Sequence, residues 1–149
     1  MMRIQAFLRE SPMFAVKRAA LHFDRVATET FVADDLGFME GLILAAIFFE
    51  VPRPIKPSDL AETFSTTRGN VSHAISSLEA KGLVQRKIDP SDARAYLLSL
   101  KPPGKKCAVR VIAAFDRMQQ GFEQRVGRAA LRNALEVIRA LESLRSIGE

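Results

Sequence analysis

The sequence predicts a mainly α-helical chain with one small β-hairpin near its middle. Three observations predict it. Apolar residues recur at helical spacing along most of the 149 residues. The period switches from 3.6 to 2 between Val84 and Leu100. The helices at both ends carry more apolar face than a small core can cover.

Taken in order, Ser11-Pro12 starts a helix, with serine able to cap free amides and proline suited to the first position. Val16, Ala19, Ala20, Phe23 and Ala27 then share one side, and Asp34, Asp35 and Gly37 break the pattern. Residues 36–50 are apolar nearly all round, as a buried helix is, and Pro52 and Pro54 end it. A short helix over 57–64 places Leu60, Ala61 and Phe64 together; after the turn 65–67, a longer one over 68–81 turns Val71, Ala74, Ile75 and Leu78 inward. Thr67 is its cap, and Gly82 stands where a left-handed residue is wanted. Two alternating runs, Val84 to Ile88 and Ala95 to Leu100, flank the turn Asp89-Pro90-Ser91-Asp92, giving a hairpin with a polar, charged tip. Pro102-Pro103-Gly104 separates it from a long helix bearing Ala108, Val111, Phe115 and Phe122, and a last helix carries Leu131, Leu135, Ile138, Leu141 and Leu144. The architecture expected is a winged helix-turn-helix over 55–101, with dimerisation helices at 11–35 and 107–147, all in a single domain over 1–149. Surplus apolar faces at both ends point to a homodimer.

Composition narrows the function. Hydrophobic content of 48% with 26% charge suits a globular protein and excludes a disordered chain. The uncharged apolar run between Glu40 and Glu50 falls well short of the roughly 20 residues that span a bilayer, so no membrane association is expected. Without an apolar leader the chain reads as cytoplasmic. The net charge of +5 is concentrated: residues 56–106 hold nine Lys or Arg against five Asp or Glu, whereas residues 1–55 hold six against seven. A localised basic segment suits a polyanion, although a slightly basic solvated surface fits the count as well.

The helix over 68–81 shows Gly69, Asn70, His73, Ser76 and Ser77 outward, with Arg68 and Ser72 at the edges and no acid before Glu79. Short polar side chains behind an arginine suit a helix laid in the major groove of double-stranded DNA, where Asn matches adenine and Arg guanine. A plain solvated face is the alternative, and the basic hairpin that follows weighs against it. There Arg86, Lys87 and Arg94 lie on or near the strands, with Asp92 two residues before Arg94. That spacing allows Asp92 to orient the Arg94 guanidinium for a narrow minor groove, or else to form an ordinary exposed ion pair. The expected DNA-binding set is therefore Thr67, Arg68, Asn70, Ser72, His73, Ser77, Arg86, Asp92 and Arg94.

Catalysis finds no support: there is no Gly-rich phosphate loop or nucleophile elbow, and His22 and His73 lack ligands at metal spacing. No cofactor is expected. The single cysteine, Cys107, excludes an internal disulfide; following Lys105-Lys106 near a helix start, it has a setting that can lower a thiol pKa and so allow redox sensing, although a lone cysteine at a helix edge is more often structural.

The stretches Ser58-Asp59-Leu60-Ala61, Leu78-Glu79-Ala80-Lys81-Gly82-Leu83-Val84-Gln85-Arg86 and Asp89-Pro90-Ser91-Asp92-Ala93-Arg94, continuing to Leu97-Leu98-Ser99-Leu100 and Gly104, resemble the MarR family of regulators. The resemblance implies a homodimer interleaved through its terminal helices, with the 68–81 helix in the major groove and the Asp92–Arg94 wing in the flanking minor groove. It implies a repressor of transcription reading an imperfect palindrome and released by a small aromatic or anionic effector. Two positions depart from the pattern. Lys56 stands where a capping Thr or Ser is expected, at a cost of about 1 kcal/mol. His73 stands where Arg is common, which softens phosphate attraction and favours DNA binding at low pH. The alternative function, a winged-helix module that binds protein and not DNA, calls for acidic or apolar residues on the outer face of 68–81, and the sequence has none there.

Overall fold

The computed structural model describes residues 2–145. Its helices are α1 (Arg3–Glu10), α2 (Pro12–Phe31), α3 (Phe38–Glu50), α4 (Pro57–Thr63), α5 (Arg68–Ala80), α6 (Pro102–Val126) and α7 (Arg128–Glu142). Between α5 and α6, β1 (Val84–Asp89) and β2 (Asp92–Leu100) form an antiparallel pair. The chain groups into two compact units: residues 27–115, and the described residues of 1–26 with 116–149.

The 27–115 unit is a winged helix with its own core. Phe31, Ile43, Leu44, Leu60, Ile75 and Leu78 are fully buried there, each such side chain contributing roughly 1.5–3 kcal/mol. The inward stripe of α5 is Val71, Ala74, Ile75 and Leu78, as its periodicity predicts. Phe31 and Phe115 meet edge to face with ring centroids 5.2 Å apart, a favoured aromatic geometry. Asp35 adopts a left-handed conformation, φ 55°, in the break before α3. The Lys81 ammonium donates to the Asp35 carbonyl oxygen and to Glu40 Oε2, the latter at 2.8 Å, so the end of α5 is tied to the start of α3. Gly82, at φ 71°, supplies the turn that ends α5.

In the other unit, α1 has no buried residue, and Phe7 meets Phe14 of α2 edge to face. Its first turn is closed by the Met2 amide donating to Gln5 Oε1. This helix precedes the first start signal in the sequence, Ser11-Pro12; Ile4, Phe7 and Leu8 recur along it at helical spacing, but no capping residue announces it. On α7, Leu131 and Leu141 are half-buried while Leu135, Val137 and Ile138 are exposed. Leu144 lies beyond the end of α7, and positions 146 and 147 of the expected last helix lie outside the described residues.

Two boundaries correct the sequence reading. Pro102, Pro103 and Gly104 do not separate hairpin from helix; they are the first turn of α6. Prolines are tolerated there because first-turn amides have no intrahelical acceptor. Gly104 is buried against Leu83, and a Cβ added to it would overlap the Leu83 carbonyl. The same carbonyl accepts from the Lys101 amide at 2.9 Å. The hairpin turn is also tighter than expected: only Pro90 and Ser91 lie between the strands, and Asp89 pairs with Asp92.

Gly104→Ala is expected to lower unfolding stability by about 1–3 kcal/mol, since backbone must shift to admit one methyl. An unchanged urea midpoint for the variant would contradict the close approach.

Candidate nucleic-acid interface

The outer face of α5 begins with its cap. Thr67 Oγ1 accepts from the Asn70 amide at 3.1 Å, and Asn70 Nδ2 donates to Thr66 Oγ1, also at 3.1 Å. The side chain of Asn70 is thus aimed by the residue preceding the cap, leaving its carbonyl oxygen outward. Thr67, Arg68, Asn70, Ser72 and His73 are exposed; Ser77 is half-buried. Arg68 and Ser72 also line a cleft of about 300 Å³ with Lys56 and Ser58 from the start of α4 and Arg94 and Tyr96 from β2. Residues 38 positions apart in the chain, from Lys56 to Arg94, therefore share one concave basic surface. No carboxylate lines it, and among the described residues neither the Arg68 nor the Arg94 side chain has an ion-pair partner.

The wing presents Arg94 through an irregularity. Ile88 pairs with Tyr96 and Asp89 with Asp92, so Ala93, Arg94 and Ala95 have no ladder partners and stand out as a bulge. Bulges re-aim side chains and increase local twist. Asp92 does not hold the Arg94 guanidinium: its Oδ1 accepts from the Arg94 backbone amide at 3.0 Å. It shapes the bulge and leaves the cation free.

Across the bulge the strand alternation changes phase. Ile88 points to solvent, 74% exposed, while Asp89, expected in the polar, charged turn, ends β1 and is buried at 6%. Its carboxylate accepts from the Ser91 amide at 2.9 Å and the Ser91 hydroxyl at 2.7 Å, and pairs with Lys56 Nζ at 3.2 Å. The Ser91 hydroxyl and amide, then Lys56, hold the Asp89 carboxyl below its ordinary value against the opposing effect of burial. This explains Lys56 in place of a cap: no side chain caps α4, Asp59 accepts from the Lys56 amide at 3.1 Å, and the lysine head is committed to the wing. Neither Lys56 nor Tyr96 was in the expected set, because their roles depend on residues more than 30 positions away or on a strand pairing.

Arg86 is engaged within the fold. Its guanidinium donates to Tyr96 Oη at 2.9 Å and Ser76 Oγ at 3.0 Å, lies 4.7 Å from the Tyr96 ring centroid, and has Nε 2.7 Å from Glu79 Oε2. The Glu79 approach is off the N–H axis, so charge rather than a linear hydrogen bond holds that pair. The result is a staple between α5 and the hairpin, which also neutralises the only acid of α5.

At Cys107 the structure favours a structural residue over a reactive thiol. With α6 starting at Pro102 the thiol sits inside the helix, 3% exposed. Burial, then Asp34, pushes its pKa up, against the pull of Arg110. Arg110 itself is paired with Asp34 at 2.7 Å. His22 is exposed on α2 beside Arg25, whose guanidinium lies 2.9 Å from Nδ1. Among the described residues no cluster of three or more His, Cys, Asp or Glu could hold a metal, and no helix is long and apolar enough to cross a membrane.

The helix pair α4–α5, the hairpin and the acid-free face between them define a winged helix-turn-helix protein. A model of the MarR family matches residues 51–96, from just after α3 into β2. Over 75 residues the chain is 33% identical to a protein of Thauera aromatica named as a transcriptional regulatory protein for the hcr operon. That match takes in 50% of this chain and 45% of the relative, so the chain spans less than half the relative's length. Among solved structures it is similar to the Staphylococcus aureus MepR–DNA complex, with TM-score 0.82 at 20% identity over 90% of this chain and 98% of the other. It is also similar to the transcriptional regulator BldR of Sulfolobus solfataricus, with TM-score 0.75 at 21% identity over 96% and 99%. At these identities the structural likeness establishes the fold.

The lowered Asp89 pKa gives a pH prediction. A depressed carboxyl contributes its stability in full above the unfolded value, about 4, and loses it as pH falls through the folded value. The stability gap between the parent protein and Asp89→Asn is expected to stay level from neutral pH to about 5 and to close in more acid solution. Urea titrations across that range would show it; a gap that grows on acidification would be inconsistent with the pairing.

Proposed function

We propose that this protein is a sequence-specific regulator of transcription that binds double-stranded DNA as a homodimer and performs no catalysis. In this reading α5 enters the major groove, where Asn70, His73 and Ser77 face base edges and Thr67, Arg68 and Ser72 lie toward the backbone. The bulged Arg94 reaches the flanking minor groove, with Asp92 shaping its loop and Arg86 holding the wing to the helix. The observation that carries the reading is the cleft between α5, the start of α4 and the bulge, lined by no carboxylate and by two arginines without an ion-pair partner among the described residues. The MepR structure to which the fold is similar is a DNA complex, which supports it.

A second copy of the chain is the partner that the terminal helices suit. Ile4, Phe7, Phe14, Leu21, Phe122, Val126, Leu135 and Val137 are all exposed in the 1–26 and 116–149 unit. So much apolar surface on one unit is rare in a monomer, and a two-fold dimer would cover it. Such a dimer reads two half-sites about ten base pairs apart, or a multiple of that, as an imperfect palindrome. A dimer seated on a promoter excludes polymerase, so occupancy alone represses, and a small molecule that disfavours the bound form relieves it.

Selection from random duplexes supplies the operator, and two variants then separate the parts of the interface. Asn70→Ala is expected to cost about 1–3 kcal/mol on the operator and to relax preference at one position per half-site, leaving the salt dependence intact. Arg94→Ala is expected to weaken binding to operator and scrambled duplex alike, and to make log K against log salt shallower by about one phosphate contact per subunit. Unchanged affinity and slope for folded Arg94→Ala would remove the wing from the interface.

A further inference from the structure

We propose that Lys56 is a positioning residue for the wing: through its contact with Asp89 it sets the bulge that presents Arg94 to DNA, and it contacts no phosphate itself. The proposal rests on the DNA-binding reading and adds to it a residue outside both α5 and the hairpin.

The lysine starts from a fixed backbone. On one side the Ile55 carbonyl accepts from the Leu98 amide of β2 at 3.0 Å. On the other, the Lys56 carbonyl accepts from the Asp59 and Leu60 amides of α4 at 3.1 and 3.3 Å, and the Lys56 amide donates to Asp59 Oδ2 at 3.1 Å. The side chain crosses from there to Asp89, whose two oxygens are divided between partners. Oδ1 takes both Ser91 donors, and Oδ2 faces Lys56 Nζ at 3.2 Å. Ser91 belongs to the same turn as Asp89, so its contacts travel with the turn, whereas Lys56 holds the carboxylate from outside the hairpin. A carboxylate so little exposed keeps its charge only while donors meet it. With the lysine removed, Oδ2 is better solvated than buried, which turns Asp89 outward and undoes its pairing with Asp92. Arg94 lies two residues on, its amide tied to Asp92 Oδ1 at 3.0 Å, so its side chain is re-aimed with the bulge.

Lys56 also lines the cleft with Arg68, Ser72 and Arg94, and its side chain is 42% exposed, so direct contact with a phosphate is the competing role. The two roles differ in the sign of one effect. A lysine serving phosphate would be released when the Asp89 carboxylate is removed, and binding would tighten, as loss of a negative charge near a polyanion already favours. A lysine serving position makes the same change weaken binding.

The test is a set of salt titrations of the full chain on its selected operator. Lys56→Met and Asp89→Asn are each expected to weaken binding severalfold and to flatten the salt slope by up to about one phosphate contact per subunit, as Arg94→Ala does. In the Arg94→Ala background Lys56→Met is expected to add nothing, because both changes disable one contact. Lys56→Arg keeps a cation within reach of Asp89 and is expected to retain the parent affinity and slope. Hydrogen exchange in Lys56→Met is expected to quicken at the Ser91 and Arg94 amides and to stay unchanged in α5, which places the loss in the wing. Tighter binding by Asp89→Asn, or additive losses from Lys56→Met and Arg94→Ala, would overturn the proposal in favour of phosphate contact. Unchanged binding by folded Lys56→Met would overturn it in favour of a purely structural pair. Should Lys56→Met not fold, the sign of the Asp89→Asn effect decides. A parent chain that binds no duplex at low salt removes the DNA-binding reading itself, an outcome distinct from all of these.

Discussion

Asp89 sits buried at the end of β1 with its carboxylate held by the Ser91 amide, the Ser91 hydroxyl and the Lys56 ammonium. Three separate pieces of chain meet at that one side chain: the lead into α4, the end of β1 and the hairpin turn. A carboxylate leaves water only when its charge is met by donors, so its burial requires all three pieces in place at once. The phase change in the hairpin follows, because turning Asp89 inward turns Ile88 outward. The bulge follows as well, since Asp89 pairs with Asp92 only if residues 93–95 leave the ladder. The exposure of Arg94 beside Arg68 is thus a result of where one acid is buried.

Charge is used in two ways on this surface. Lys56 and Arg86 are spent inside the fold, one on Asp89 and the other on Glu79, Ser76 and Tyr96. Among the described residues Arg68 and Arg94 have no ion-pair partner. The separation has a physical logic: cations fixed by short contacts make a scaffold, and cations without partners stay available to an anion. Composition alone weights all four equally, and so overstates how much of the basic middle segment can face a polyanion.

Much of the fold was legible in the sequence because it depends on local periodicity. The buried stripe Val71, Ala74, Ile75 and Leu78, the Thr67 cap and Gly82 at the helix end are all set by residues within a few positions of one another. Most of the outward face of α5 was legible for the same reason, since a helix that buries one side exposes the other. What escaped depends on distant partners. Nothing near Asp89 signals that Lys56 waits 33 positions earlier, and the exposure of Arg86 could not be judged without Glu79 and Tyr96 packed beside it. Pro102 and Pro103 were read as breakers because the usual meaning of proline is interruption; at a first turn the same ring is compatible with the helix. The same displaced boundary bears on Cys107: a charged helix start would lower its pKa, whereas burial in the core raises it.

The contact of Gly104 with Leu83 reaches beyond packing. Leu83 follows directly on the glycine that ends α5, and its carbonyl is both the acceptor for the Lys101 amide and the surface against which α6 begins. Turning α5 against the first turns of α6 would break that bond and drive the Gly104 backbone into the carbonyl. The joint is therefore a weld and not a hinge. Whatever freedom α5 has to change its angle, it must carry the root of α6 with it.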